Sequence, residues 1–207
     1  MIARYYKEGT SLAEFMVLPD DGNLHEFVRG EIRVSPPPKG RHGRVEVAVT
    51  SALDRYLDDK ARALGWEPAQ GIEARDRLVG FVAGGEFGIH FTLPDDPNQT
   101  RGVDAAFVPP EQYAHVEWDN ESYFPEVPAL VVEVISPSDE KADVEEKRRD
   151  CLVGGARRVW SVYAKHKEIH VHAPHAPTRV LRLDDTLTDD DLLPGFALPL
   201  QLVFPTR

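Results

Sequence analysis

The sequence predicts a mixed α/β domain over residues 1–207, and three observations support that prediction. Continuous apolar runs at residues 103–108 and 129–135 are typical of strands that a sheet buries on both faces. Apolar residues recur at helical spacing from Gly43 onward, which predicts a long helix. A chain of 207 residues without internal repeats suits one domain, whose core we place at about residues 40–172.

The amino-terminal segment predicts a short helix followed by a hairpin. Ser11 and Glu14 have the capping-box spacing that opens a helix. Residues 27–34 are interpreted as two strands around a tight turn that contains glycine. The long helix that begins at Gly43 is expected to end at Gly65, since glycine favours helix ends.

The remaining elements are predicted from apolar runs and turn residues. Short extended pieces are expected ahead of the first buried strand, at residues 70–74, 78–82 and 87–93. A second helix is expected to start with Asp143 as its N-cap and to end at Gly154. A carboxy-terminal meander of strands follows, at residues 159–163, 168–172 and 179–183, and a packed tail ends the chain.

Composition is ordinary for a water-soluble globular protein, with 42% hydrophobic and 29% charged residues. The first seven residues lack the apolar core of a signal peptide, and no stretch approaches the roughly 20 apolar residues of a membrane helix. The single cysteine, Cys151, excludes an internal disulfide and fits a reducing compartment. A cytoplasmic protein with no membrane partner is therefore expected.

The charge distribution gives a mixed signal about nucleic acid. A formal net charge of −11 argues against a broad surface for binding phosphates. Arg41, His42 and Arg44 nevertheless form a compact basic patch where the long helix starts, and free amides at a helix start favour phosphate. We therefore expect these three residues to bind substrate, with a local hydrogen bond as the alternative role for His42.

Two carboxylates interrupt the apolar strands. Glu133 lies in the middle of Ala129–Ile135, and Asp104 lies near the start of the 103–108 run. An ionised carboxylate inside a sheet is costly unless a metal, a cation or several donors compensate it. Because carboxylate oxygens are ligands that Mg²⁺ prefers, the pair predicts a divalent-metal site for phosphodiester hydrolysis.

Lys147 lies on the apolar stripe of the second predicted helix, together with Val144 and Cys151. A lysine in such a position either extends its ammonium group to the edge of the packed surface or turns toward the buried carboxylates. The second interpretation gives Asp104 and Glu133 the cation that they require. Spacing alone leaves both open.

Several other polar residues receive a structural interpretation. His170 and His172 alternate along one predicted strand and are expected on an exposed face, because their spacing does not match a structural zinc site. Glu86 is interpreted as a surface acid and Cys151 as a packing residue.

The order of these residues resembles that of a known family. The pattern consists of Gly30-Glu31-Ile32, Ser35-Pro36-Pro37, His42-Gly43, Asp104, Glu133-Val134-Ile135-Ser136-Pro137-Ser138, Asp143, Lys147, Gly155 and Trp160. It resembles the Uma-type family of putative restriction endonucleases, formerly a domain of unknown function, over nearly the whole chain. Two positions depart from the family: Val103 replaces its usual proline, and the strand with Trp160 lacks its usual aspartate.

The resemblance implies a restriction-endonuclease-like PD-(D/E)XK core, an α+β arrangement in which helices flank a mixed sheet. An amino-terminal helix–hairpin and a carboxy-terminal strand meander would pack on that core. By the same resemblance, Asp104 and Glu133 would bind Mg²⁺, with Mn²⁺ as a substitute, and Lys147 would assist the attacking water. Glu31 matches a polar position of the family and is expected as a further metal ligand or as a residue that orients one.

The leading functional hypothesis is a metal-dependent nuclease that acts on DNA, with Asp104, Glu133 and Lys147 as its catalytic residues. A homodimer is expected, because two-fold DNA is often cut by two-fold proteins. A second hypothesis is a nuclease-fold protein that has lost catalysis and serves as a binding or assembly module, in which these charges form a buried ion network. A third is a hydrolase of a small phosphorylated substrate, which would need an enclosed pocket.

Overall fold

The computed structural model describes residues 9–19, 21–35, 37, 40–114 and 122–205. Residues 1–8, used for the signal-peptide expectation, and Pro36 of the family pattern lie outside these ranges. The helices are α1 (Leu12–Met16), α2 (Gly40–Ala63), α3 (Ile72–Val79), α4 (Pro110–Tyr113) and α5 (Lys141–Val153). The strands are β1 (Leu24–Val28), β2 (Glu31–Ser35), β3 (Phe81–Leu93), β4 (Asp96–Val108), β5 (Leu130–Ile135), β6 (Arg158–Tyr163), β7 (Glu168–His172), β8 (Arg179–Leu181), β9 (Thr186–Asp189) and β10 (Leu193–Pro199).

Eight of these strands form one mixed sheet in the order β2-β1-β4-β5-β6-β7-β8, and β3 pairs with β4 outside this path. β5 and β6 are parallel, whereas the other neighbouring strands of the sheet are antiparallel. Parallel neighbours need a crossover connection, and α5 provides it. The predicted mixed fold is therefore confirmed, with its helix–hairpin at one end and the β6–β8 meander at the other.

The sheet carries apolar clusters on both faces. Leu53 of α2 packs in one cluster with Val132 and Trp160. Cys151 of α5 packs in the other cluster with Val131. Because Val131 and Val132 belong to different clusters, β5 is covered on both sides, as its continuous apolar sequence predicts.

Two helix starts differ from the sequence prediction. α2 begins at Gly40 rather than Gly43. α5 begins at Lys141 with Glu140 as its N-cap residue, so Asp143 lies in the first turn and does not cap the helix. None of the described helices has the length and apolar character needed to span a membrane.

Residues 72–79 form α3, where the sequence suggested extended pieces. The buried guanidinium of Arg75 accounts for the difference, because it lies 2.8 Å from Asp54 and 2.7 Å from Asp58 of α2. These long-range contacts fix α3 against α2, which a window of local sequence does not reveal. The tail also contains a β9–β10 hairpin that the sequence analysis did not resolve.

His172 on β7 is buried at 6% exposure, contrary to the expectation of an exposed strand face. Its Nδ1 lies 3.1 Å from the Arg148 guanidinium and 3.0 Å from the Thr178 hydroxyl. Burial lowers the pKa of His172 to about 4, and the charges of Arg148 and His170 act in the same direction. The folded protein therefore holds His172 as a neutral imidazole at pH 7.

We expect this imidazole to make folding stability depend on pH. Its folded pKa of about 4 lies below the ordinary value of 6.5, so the unfolded chain takes up the proton first as the pH falls. The stability is fully present above about pH 6.5 and is lost progressively toward pH 4, by about 1–3 kcal/mol. Urea unfolding of the metal-free protein at pH 7 and pH 4.5 measures this loss.

A His172→Gln variant should lose less stability than the wild type over that interval. His166→Gln is the matched control, because His166 is exposed. Equal losses in the wild type and in His172→Gln would contradict the assignment.

Candidate active site

Glu133 occupies the centre of β5, a strand otherwise built from apolar residues. Only 14% of its side chain is exposed. One carboxylate oxygen, Oε2, lies 2.8 Å from the Lys147 ammonium. The other, Oε1, is buried and has no hydrogen-bond partner within the described part of the chain. A buried oxygen of this kind calls for a water molecule or an ion.

Asp104 on β4 lies beside Glu133, because the antiparallel register of β4 and β5 pairs the adjacent residues Ala105 and Val132. Residues opposite each other in such a register project from the same face of the sheet. Asp104 Oδ2 accepts a hydrogen bond from the Val134 amide. The structure thus brings together the two acids that interrupt the apolar strands.

Lys147 reaches the same face from α5. Its Nζ lies 2.8 Å from Glu133 Oε2 and 3.4 Å from Glu26 Oε1. Only 16% of the side chain is exposed. Of the two orientations that the spacing left open, Lys147 therefore adopts the one directed at the carboxylates.

Glu26 on β1 is a site residue that the sequence analysis missed. Besides Lys147, it contacts the Arg101 guanidinium at 3.5 Å and accepts a hydrogen bond from the Gly102 amide at 3.2 Å. Burial raises the pKa of Glu26, but Lys147 and Arg101 outweigh this effect and bring the pKa below its ordinary value. The predicted hairpin begins at residue 27, so no predicted strand includes Glu26.

Glu86 enters the site through a β-bulge in β3. The register of β3 and β4 shifts between Gly84 and Phe87, so Gly85 and Glu86 together lie opposite Asp104. Both bulge residues have a positive φ, 77° for Gly85 and 64° for Glu86. Bulges redirect side chains and are frequent next to active sites. Sequence context predicts a surface position for Glu86, although two successive glycines inside a strand are a sign of a bulge.

Carboxylates outnumber cations in the cluster formed by Glu26, Glu86, Asp104, Glu133 and Lys147. Burial raises the pKa of Glu133 well above its ordinary value, and Asp104 adds to this while Lys147 opposes it. Burial and then Asp104 raise the pKa of Glu86 to about 7. Burial alone would lower the pKa of Lys147, but Glu133, Glu26 and Asp104 raise it above its ordinary value. A bound cation would therefore compete with protons for Glu86 and Glu133.

The three residues of the predicted basic patch have different environments at the start of α2. His42 faces inward, with Nε2 2.9 Å from Asp104 Oδ1. Burial lowers the pKa of His42, but the contact with Asp104 brings it above its ordinary value. Arg41 and Arg44 are exposed and form no ion pair with any described residue. His42 therefore lies with the carboxylates while the two arginines face solvent, and substrate binding by the three residues stays a prediction.

Within the described part of the chain, Glu31 forms no polar contact with Asp104, Glu133 or Lys147. Its carboxylate is 3.9 Å from the Arg33 guanidinium, which also pairs with Glu146 of α5. The turn residue Arg29 lies 3.0 Å from Asp150 and 3.1 Å from Glu146. These hairpin charges hold the helix that carries the site lysine, and the metal role of Glu31 stays a prediction.

The donor atoms fit a divalent cation. Over the described ranges, one group of at least three His, Cys, Asp or Glu side chains has its ligand atoms within 4.8 Å of one another: His42, Glu86 and Asp104. The unpartnered Oε1 of Glu133 is a further oxygen that needs a partner. Carboxylates are suitable ligands for Mg²⁺ and Mn²⁺, which complete their shells with water and phosphate oxygens.

A mixed sheet flanked by helices, with acids on two adjacent strands and a lysine from the next helix, defines a restriction-endonuclease-like protein. The chain belongs to the Uma2 family, described as putative restriction endonucleases, whose model matches residues 12–201. The crystal structure of a putative nuclease of DUF820 from Anabaena variabilis is similar, with a TM-score of 0.73 and 18% identity over 94% of this chain and 97% of that one. No curated protein matches the sequence.

Proposed function

We propose that this protein is a metal-dependent nuclease that hydrolyses phosphodiester bonds in DNA. The observation that carries the proposal is the Glu133 carboxylate, which contacts Lys147 through one oxygen, while its other oxygen is buried with no partner among the described residues. A purely structural ion pair is favourable only when its remaining lone pairs are satisfied. Membership in a family of nucleases supports the hydrolase class.

Each site residue would have a separate role in the reaction. When bound, a divalent cation such as Mg²⁺ or Mn²⁺ supplies a polarised phosphoryl group and a water of lowered pKa. Asp104 and Glu133 would hold it through carboxylate oxygens. Lys147 stays charged among its carboxylate neighbours and would offset negative charge that develops on the phosphate. Glu26 contacts the same ammonium group and would keep it directed at Glu133.

The test is cleavage of supercoiled plasmid and of single-stranded DNA in the presence of Mg²⁺ or Mn²⁺. Cleavage that chelation abolishes is expected. Complete inactivity on both substrates with both metals would favour the binding or assembly module, which the net charge of −11 also suits. The expected homodimer remains a prediction.

The exposed arginines of α2 give a separate prediction about DNA binding. Replacing both Arg41 and Arg44 by serine is expected to weaken binding and to lower the slope of log affinity against log salt by about 2, or about 1 per lost phosphate contact. Fluorescence anisotropy with labelled duplex and Ca²⁺ at several salt concentrations measures both quantities. Arg55→Ser is the control, because Arg55 is exposed about three turns further along α2. An unchanged slope in the double variant would remove these arginines from the interface.

A further inference from the structure

Three elements place metal-ligating side chains around one point. His42 comes from the first turn of α2, Glu86 from the bulge in β3, and Asp104 from the middle of the sheet on β4. Their ligand atoms lie within 4.8 Å of one another. His42 Nε2 and Asp104 Oδ1 are 2.9 Å apart. Two ligands at right angles around one ion, each about 2.1 Å from it, would be about 3.0 Å apart.

Several polar groups in and beside this arrangement lack a hydrogen-bond partner among the described residues. The Glu86 carboxylate forms no hydrogen bond or ion pair with a described residue, although it lies in a partly buried bulge. His42 Nδ1 and Glu133 Oε1 are buried and also lack partners over the same ranges. Buried polar atoms without partners indicate a missing water molecule or ion. His42 contacts Asp104 and Glu133 lies opposite it in the β4–β5 register, so these atoms belong to residues that adjoin the point where the three ligand atoms meet.

We propose that His42 and Glu86 are ligands of the catalytic cation together with Asp104, so that the centre contains one imidazole nitrogen. This inference rests on the proposed function for the presence of a cation, and it names ligands beyond the Asp104–Glu133 pair. Imidazole favours first-row transition ions, whereas Mg²⁺ prefers an all-oxygen shell. The centre therefore selects Mn²⁺ or Co²⁺ over Mg²⁺.

Mn²⁺ bound to the full-length protein tests the nitrogen ligand directly. Electron spin-echo envelope modulation of the wild type should show coupling to a directly bound imidazole nitrogen. The coupling should disappear in His42→Gln and persist in His166→Gln, which replaces an exposed histidine. A wild-type spectrum without nitrogen coupling overturns the proposal, even if the variants do not fold. Coupling that persists in folded His42→Gln overturns it as well.

Calorimetric titration with Mn²⁺, Co²⁺ and Mg²⁺ tests selectivity and the role of Glu86. The wild type should bind Mn²⁺ and Co²⁺ more tightly than Mg²⁺. Glu86→Gln should lower Mn²⁺ affinity by at least about tenfold, whereas Glu73→Gln, which changes an exposed acid on α3, should leave it unchanged. Equal affinities for Mg²⁺ and Mn²⁺, or an unaltered Mn²⁺ affinity in Glu86→Gln, would contradict the assignment.

Failure of this inference can be told apart from failure of the proposed function. If the protein cleaves DNA but oxygen atoms alone coordinate its Mn²⁺, the nuclease proposal is retained and His42 is excluded as a ligand. Nitrogen-coordinated Mn²⁺ in a protein that cleaves no DNA would support the ligand set and reject the nuclease.

Discussion

Replacement of Glu133 by glutamine is expected to lower the rate of plasmid cleavage by about 10²- to 10³-fold while the fold is retained. The amide has the shape of the carboxylate, and its carbonyl oxygen can still accept a hydrogen bond from Lys147. It lacks the negative charge that a divalent cation requires. Lys147 keeps its contact with Glu26 in this variant, so the fold should be retained.

The measurement is the initial rate of conversion of supercoiled to nicked plasmid, with Mg²⁺ and with Mn²⁺. Circular dichroism and thermal unfolding show whether the variant is folded. Glu73→Gln is the control, because it makes the same chemical change on the exposed side of α3. Wild-type cleavage by folded Glu133→Gln would place the reaction elsewhere in the molecule.

Replacement of Lys147 by methionine is expected to abolish cleavage and also to lower the free energy of unfolding by about 3–5 kcal/mol. The variant leaves Glu133 and Glu26 buried without the ammonium group that both contact. Glu26 retains Arg101 and the Gly102 amide, so the uncompensated charge falls mainly on Glu133. Urea unfolding at pH 7.5 with a chelator present measures the loss without a contribution from bound metal.

The double variant Lys147→Met/Glu133→Gln separates the loss of stability from the loss of cleavage. Removing the uncompensated charge should restore more than half of the lost stability, whereas cleavage should stay absent. Lys141→Met is the control, since Lys141 is exposed at the start of the same helix. Equal stability of the single and double variants would mean that the Lys147–Glu133 contact contributes little to folding.

The fold could be predicted from local patterns because those patterns report burial. The apolar run 129–135 required a strand covered on both faces, and the structure places it between two apolar clusters. The capping box at Ser11 and Glu14 is present at the start of α1. α3 was missed because its stability depends on Arg75, which contacts acids that lie 17 and 21 residues earlier in the chain.

The candidate site also contains some residues that the sequence predicts and others that only the structure reveals. Asp104, Glu133 and Lys147 stood out because a charge in an apolar pattern is anomalous on sequence alone. Glu26 and Glu86 did not stand out, because each lies in a stretch of polar or glycine-rich sequence where an acid is ordinary. Only the pairing of β1 and β3 with β4 brings these two carboxylates to the site.

The sequence by itself therefore determined the class of fold, the strands that form its centre and the three charges that this centre has to compensate. The spacing of apolar residues follows the local secondary structure, so a short window of sequence reveals it. The tertiary structure alone decided that His42 turns inward, that Glu86 lies opposite Asp104 and that Arg33 of the hairpin pairs with Glu146 of α5. Strand register and helix packing set these contacts between distant segments, and the identity of a residue does not encode its partner across the sheet.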